Sequence, residues 1–352
     1  ALVASPKEAR RPAAPWDGQP YEALILEGGG GRGLAHAGAV SKLSQAGLFA
    51  GVKHFCGVSA GAPVAALLAL GFAGDELRQV LMRAPRDPPL DGGPASCSEC
   101  AVGLFTLLTR HGWRDGKAFG AYLDAEIARR AGRGRSGRGF TLMDLYQQRG
   151  VVLRLGACNL TTRRFEWLDY ATQPDMSVAL AAGAASRLPI ACVPTEYASP
   201  ARPGTPALLV DGGLAGGASR RAFPGRRALV LSAAGGVSAG PAGGRPAGLR
   251  QLAAAALDAA VHARASDGLA DEEDIGEALR GVHVLRIPCR DRDTPDLRGK
   301  EQADGVGDDG WGAAVAFLGA LPRGGLARLG ARGETDSGSA NDSLAQRVAV
   351  GG

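Results

Sequence analysis

Residues 52–70 read VKHFCGVSAGAPVAALLAL, and the stretch divides into three pieces. Val52 to Cys56 is a short apolar run of strand character, Gly57-Val58-Ser59-Ala60-Gly61 is a G-x-S-x-G, and Ala60 to Leu70 is an apolar helix pattern. A strand that passes through such a turn directly into a helix is a nucleophile elbow, because the sharp turn projects the serine hydroxyl beyond the sheet edge. Small flanking residues permit the strain. With 54 Gly and 17 Ser in 352 residues, chance alone supplies about 0.4 copies of the bare pattern, so the five letters decide nothing by themselves. They occur a second time as Gly236-Val237-Ser238-Ala239-Gly240, also after a strand, but Pro241, Gly243 and Gly244 forbid a helix behind that copy. Ser59 is the candidate nucleophile and Ser238 a loop serine.

Outward from this stretch, strand and helix patterns alternate. Ala23 to Leu26 is an apolar strand followed by a helix over Leu34 to Ala46. From Asp75 to Gln148 the pattern is mainly helical, interrupted by loops at Pro85 to Pro94 and Gly132 to Gly139. Strands resume at Val151 to Cys158 and Arg164 to Leu168, followed by a small-residue helix over Ser177 to Ala185 and strands at Ala207 to Val210 and Ala228 to Leu231. A Gly/Pro loop over Gly235 to Gly248 precedes a helix at Leu249 to Ala265, a strand at Val282 to Ile287 and a last helix from Trp311. Alternation of this kind implies a three-layer α/β/α fold with a mainly parallel central sheet. The aperiodic, Pro-rich residues 1–21 and the polar residues 323–352 read as disordered tails around one domain over 22–322.

Composition removes several classes of function. Gly and Pro fill 75 positions without a strict period, which excludes collagen-like and coiled-coil chains. The net charge of +5 rests on 35 Arg and only 5 Lys, which favours anionic surfaces mildly but lacks the balance and aromatic interleaving of a nucleic-acid binder. Six scattered cysteines do not make a disulfide scaffold, so a reducing compartment, cytoplasmic or peripheral at a membrane, is expected. The chain begins at Ala1 rather than Met, which leaves a cleaved signal peptide and secretion open. The uncharged run Phe55 to Gly74 is broken by Gly and Pro, and its helical part would span only ~16 Å of the ~30 Å hydrocarbon layer. It is a core helix.

The loop Gly28-Gly29-Gly30-Gly31-Arg32-Gly33 follows an apolar strand and opens a helix. Consecutive glycines let backbone N–H groups converge beside a helix N-terminus, which stabilises an anion, either a phosphate or an oxyanion. The loop also satisfies G-x-G-x-x-G, so nucleotide binding is the rival reading. That reading expects an acid about 20 positions on, where this chain has Lys53, His54 and Phe55. A carboxylate base is available at Leu208-Leu209-Val210-Asp211-Gly212-Gly213, where an apolar strand delivers Asp211 to the sheet's carboxyl edge. The other Asp-Gly-Gly, at Asp91, has no strand before it. Of the histidines, His111 is the loop candidate for a base, while His36 and His54 read as packing residues.

Three remaining features read as structural. Cys97 and Cys100 lack a second ligand pair for zinc, so no metal and no cofactor are expected. The run Arg129, Arg130, Arg133, Arg135 and Arg138 reads as a solvated loop before a lipid-headgroup contact, and Val102 to Leu108 as core packing before a lid.

Taken in order, Gly28 to Gly33, Gly57 to Gly61 and Asp211 to Gly213 resemble the patatin-like phospholipases, a family of serine lipid acyl hydrolases with a Ser-Asp dyad. The resemblance extends through Leu26 to Gly38, Gly57 to Gly71, Ser177 to Pro189 and Leu208 to Gly213. It implies that Ser59 attacks an ester carbonyl, that Asp211 activates it, and that the N–H groups of Gly29, Gly30 and Gly31 form an oxyanion hole held by Arg32. Gly28, Gly33, Gly57, Gly61, Gly212 and Gly213 support the motifs, the substrate is a phospholipid or other acyl-ester lipid at a membrane surface, and a lipid-binding scaffold without turnover is a further alternative. Two departures stand out. Leu214 is followed by Ala215-Gly216-Gly217-Ala218-Ser219 where many members have Asn-Asn-x-Pro, and Arg187 precedes Leu188-Pro189 where a small residue or Met is usual.

Overall fold

The structure, a computed structural model, describes residues 19–29, 33–85, 107–131, 139–198, 204, 206–215, 218–233, 282–287 and 300–320. Its strands are β1 (Ala23–Leu26), β2 (His54–Val58), β3 (Gly112–Arg114), β4 (Val152–Asn159), β5 (Arg164–Leu168), β6 (Ile190–Cys192), β7 (Thr195–Tyr197), β8 (Ala207–Asp211), β9 (Ala228–Ser232) and β10 (Val282–Arg286). Its helices are α1 (Gly33–Gln45), α2 (Gly61–Ala69), α3 (Gly74–Arg83), α4 (Lys117–Ala131), α5 (Leu142–Arg149), α6 (Val178–Ala185) and α7 (Lys300–Ala320). This is a mixed α/β fold with a central sheet and flanking helices.

The eight-stranded sheet runs β10-β9-β1-β2-β4-β8-β7, with β5 paired to β4. The five strands from β10 to β4 are parallel, whereas β5, β7 and β8 pair antiparallel. Every residue of β1 is buried, which is why it reads as an unbroken apolar run rather than an alternating one. Its side chains still divide between two faces: Leu24 and Leu26 join Leu229, Leu231, Leu153 and Leu155 in the core that takes in all the helices above. Ala23 and Ile25 point the other way with Cys56, Ala228 and Val230, against Ala222 and Phe223.

The pairing register of β4 sets up the site. β2 runs parallel to residues 152–156 of β4, ending with Val58 opposite Gly156. β8 runs antiparallel to residues 157–159, ending with Asp211 opposite Ala157. β5 covers residues 155–159 as well, and a strand residue has one neighbour on each side. β2 and β8 therefore share the same edge of β4 and meet there carboxyl end to carboxyl end. At the seam Gly212 lies against the Gly156 backbone so closely that a Cβ would collide with the Gly156 carbonyl.

Local signals set the helices around this seam. α5 starts at a capping box between Thr141 and Asp144 and stops at Gly150, whose φ of 60° is left-handed. α6 is capped by Ser177, whose hydroxyl accepts from the Leu180 amide at 3.1 Å. All of its residues except Leu180 are buried, and small side chains let it pack against both α2 and α4.

Several expectations are revised. The last helix starts at Lys300, not Trp311; its early glycines have poor helix propensity but are held by contact with α1. β3 and β6 form a separate two-stranded sheet in stretches too short to carry a period, so β3 interrupts what the sequence suggests is a helical region. Leu108 is 71% exposed and does not join the core. The helix expected over 249–265 lies outside the described residues, as do both tails except for residues 19–21. No described helix is long and apolar enough to cross a membrane.

The α1–α7 contact leaves no space at Gly310, where a Cβ would collide with the Ala35 carbonyl. Gly310→Val is expected to destabilise the protein by about 1–3 kcal/mol or more, read from the midpoint of a urea titration against wild type.

Candidate active site

Ser59 follows β2 directly and adopts φ 54°, a left-handed conformation that is uncommon for a residue with a side chain. The surroundings enforce it. The Ser59 amide donates to the Ala185 carbonyl at 3.0 Å, and the Ala62 amide donates to the Ser59 carbonyl at 2.9 Å, which winds the chain into α2. α2 begins so close to the end of β1 that a Cβ at Gly61 would strike the Leu26 carbonyl. The elbow is therefore a strand, a strained serine and a helix, as its sequence context implies.

Asp211 ends β8 and is fully buried. Its amide donates to the Arg187 carbonyl at 2.8 Å, so the segment leaving α6 holds Ser59 through Ala185 and Asp211 through Arg187. Oδ1 accepts from the Gly213 amide at 2.7 Å, whereas Oδ2 is buried and, among the described residues, without a hydrogen bond of full geometry. Burial pushes this carboxyl up to about 6, against the opposing effects of the Ser59 hydroxyl and the Gly213 amide. A Cβ placed on Gly213 would lie 3.0 Å from Asp211 Oδ1 and 3.7 Å from Ser59 Cβ. The serine and the carboxylate thus flank one point in space.

The glycine loop comes to the same place. A Cβ on Gly28 would stand 2.9 Å from Ser59 Cβ and 3.3 Å from its Oγ, so only a bare backbone fits there. Gly29 approaches Ala233 and Gly33 approaches Ala60. Gly30, Gly31 and Arg32 lie outside the described residues, as do Ser238, Asp91, Cys97, Cys100, Arg133, Arg135 and Arg138. Ser59, Asp211, Gly28, Gly57, Gly61, Gly212 and Gly213 are brought together.

Other candidates fall elsewhere. His36 is buried behind the loop, where its Nε2 donates to the Glu27 carbonyl at 2.8 Å. A carbonyl only accepts, so Nδ1 carries the lone pair, and burial lowers the imidazole to about 4, which keeps it neutral. His54 packs edge-on against Phe223, and His111 is an exposed turn residue before β3. Arg129 and Arg130 are not part of a solvated loop. They belong to α4, pair with Glu126 and Glu76, and Arg130 also donates to the Leu70 and Gly71 carbonyls at the end of α2. Among the described residues no cluster of three or more His, Cys, Asp or Glu could hold a metal.

One group here has no signal in the sequence. Glu27, directly before the glycine loop, pairs with Arg220 through Nε–Oε1 at 2.8 Å and Nη2–Oε2 at 3.2 Å. Burial alone would raise the Glu27 carboxyl, but Arg220, Ser232 and Ser219 together hold it below its ordinary value. The partners are 193 residues apart, beyond any local pattern.

These features define an α/β protein with an elbow serine, a buried carboxylate and a glycine loop converging at the carboxyl ends of its strands. Residues 24–219 match the family model described as patatin-like phospholipase, and the chain belongs to that family. This places its chemistry among the lipid ester hydrolases. Among solved structures it is similar to VipD from Legionella pneumophila, at 15% identity and TM-score 0.46, over 91% of this chain and 72% of that one. It is also similar to ExoU of the Pseudomonas aeruginosa type III secretion system, solved in complex with SpcU, at 18% identity and TM-score 0.41, over 88% of this chain and 53% of that one. The chain spans about half the length of ExoU. No curated protein matches it.

Gly28→Ala is expected to displace the serine and lower ester turnover roughly 100-fold, with far-UV circular dichroism unchanged. Retention of wild-type turnover would show that the loop is not held against Ser59.

Proposed function

We propose that this chain is a lipid acyl hydrolase of phospholipase A or lysophospholipase type, with Ser59 as nucleophile, Asp211 as its base and the Gly29, Gly30 and Gly31 amides as oxyanion hole. The observation that carries the reading is the buried Asp211 carboxylate beside the elbow serine, with Oδ2 holding no full hydrogen bond. A carboxyl pushed up to about 6 is still ionised at neutral pH yet more basic than an exposed one, as a direct proton acceptor must be.

In the reaction, the Ser59 hydroxyl transfers its proton to Asp211 Oδ2 as Oγ bonds to the ester carbonyl carbon. The carbonyl oxygen takes up the negative charge and is stabilised by the loop amides. Collapse of this intermediate breaks the ester C–O bond, and the departing alkoxide takes the proton from Asp211. Water then gives a proton to Asp211 and attacks the acyl-enzyme, and the Ser59 oxygen leaves with that proton as the fatty acid is freed. Neither metal nor cofactor enters these steps. The lipid is met at a membrane surface, and the protein acts peripherally there.

A phosphate in the same loop would face the Asp211 carboxylate at close range, and like charges disfavour that site for a nucleotide. A scaffold that binds lipid without turnover has no use for a strained serine beside a basic carboxylate.

On mixed phospholipid vesicles, wild type should release fatty acid and lysolipid, Ser59→Ala none, and Asp211→Asn roughly 10³-fold less than wild type. Vesicle binding persists in all three. Equal turnover by Ser59→Ala would overturn the assignment.

The kcat/KM profile is expected to fall as pH drops through about 6, because the protonated carboxyl no longer accepts the serine proton. The stability effect has the opposite sense. Since the folded carboxyl titrates at about 6 and the unfolded one at 3.8, the cost of burying the charge is absent below about pH 4, grows up to about 6 and is complete above it. At pH 7.5 Asp211→Asn should therefore melt above wild type, by up to about 3 kcal/mol of stability. An unchanged or lower melting temperature would contradict the burial cost.

A further inference from the structure

Glu27 occupies the junction between β1 and the glycine loop. Its amide donates to the Leu231 carbonyl at 2.9 Å, and its carbonyl accepts from His36, so its backbone is fixed from two sides. Its side chain turns toward the segment that follows Asp211 and meets Arg220 in a two-pronged ion pair, with the Ser219 hydroxyl 3.3 Å from the same carboxylate oxygen. Arg220 sits in the short turn Ala218–Arg221, directly after the Ala215 to Ser219 stretch where the chain departs from the Asn-Asn-x-Pro of many family members. The pair therefore ties together the two segments that flank the reacting groups: the loop whose Gly28 touches Ser59, and the chain leaving Asp211.

Stability alone is a weak reason for such a pair. The side chains are 26% and 15% exposed, and an ion pair that far from water gives back in desolvation much of what attraction supplies. Geometry and charge both give a stronger reason. Loop amides must be held to within about 0.5 Å to meet a developing oxyanion. An unneutralised carboxylate one residue before Gly28 would also repel that oxyanion.

We propose that Glu27 and Arg220 form a positioning pair that sets the glycine loop against Ser59 and neutralises the charge next to the oxyanion pocket. This rests on the Ser59–Asp211 reading above. Neither residue touches substrate; both act through the loop.

The test measures vesicle hydrolysis by E27Q, R220Q, the double variant E27Q/R220Q and R220K, with thermal melts and S59A as control. Wild-type turnover that vanishes in S59A secures the underlying reading. E27Q and R220Q should then each lose kcat roughly 30- to 100-fold with KM within about threefold, R220Q the more, because it leaves the Glu27 charge without its cation one residue before the glycine loop. The double variant should be no worse than R220Q, since both changes break one bond. R220K keeps the charge but not the fork, so it should lose kcat about tenfold and decides the matter if R220Q does not fold. Folded variants that keep kcat within about twofold, or a double variant whose loss is the product of the two singles, would overturn the positioning pair while leaving the dyad intact. S59A with full turnover would overturn both.

Discussion

β2 and β8 occupy the same edge of β4, one parallel and one antiparallel, and Ser59 and Asp211 stand at the point where their carboxyl ends meet. Because each strand is pinned by its own backbone pairing to β4, the separation of Ser59 and Asp211 follows from sheet register and not from flexible side chains. A slip by one residue would turn either side chain to the opposite face. The carbonyls of Ala185 and Arg187 reinforce the same register from above by accepting from the amides of both residues. The glycines at Gly61 and Gly212 follow from this constraint, since each marks a place where another backbone has no room for a Cβ, and Gly28 marks the place where the Ser59 side chain leaves none.

Two carboxylates near this seam, Asp211 fully buried and Glu27 half-buried, have opposite fates. Among the described residues the Asp211 carboxylate has a single full hydrogen bond and no cation beside it, so desolvation dominates and the carboxyl rises to about 6. Glu27 has Arg220, Ser219 and Ser232, so it stays ionised and inert as a base. His36, desolvated and neutral, is no base for Ser59 and only supports the Glu27 backbone. Burial without compensation is the feature that sets the Asp211 carboxyl apart from that of Glu27.

Much of this arrangement was legible in the chain because it is local. The strand–turn–helix context marks Ser59 as an elbow residue, and three apolar residues before Asp211 identify a strand end. The all-buried β1 and the capped α6 were likewise plain as an apolar run and a small-residue helix. What could not be read is non-local or too short to have a period. β3 and β6 have three residues each, the early turns of α7 are glycine-rich and hold through α1, and the Glu27–Arg220 pair spans 193 positions. Arg129 and Arg130 give no local sign of their place for the same reason, because their partners Glu76 and the carbonyls at the end of α2 belong to a distant segment.

The central claim is that Ser59 is a nucleophile because Asp211 stands ready to take its proton. Peptide mapping by mass spectrometry after exposure to a fluorophosphonate tests it most directly. The account predicts a phosphonyl adduct on the peptide carrying Ser59, none on that carrying Ser238, and near-complete loss of the adduct in Asp211→Asn. An adduct on another serine, or one on Ser59 that forms equally fast without the carboxylate, would contradict it.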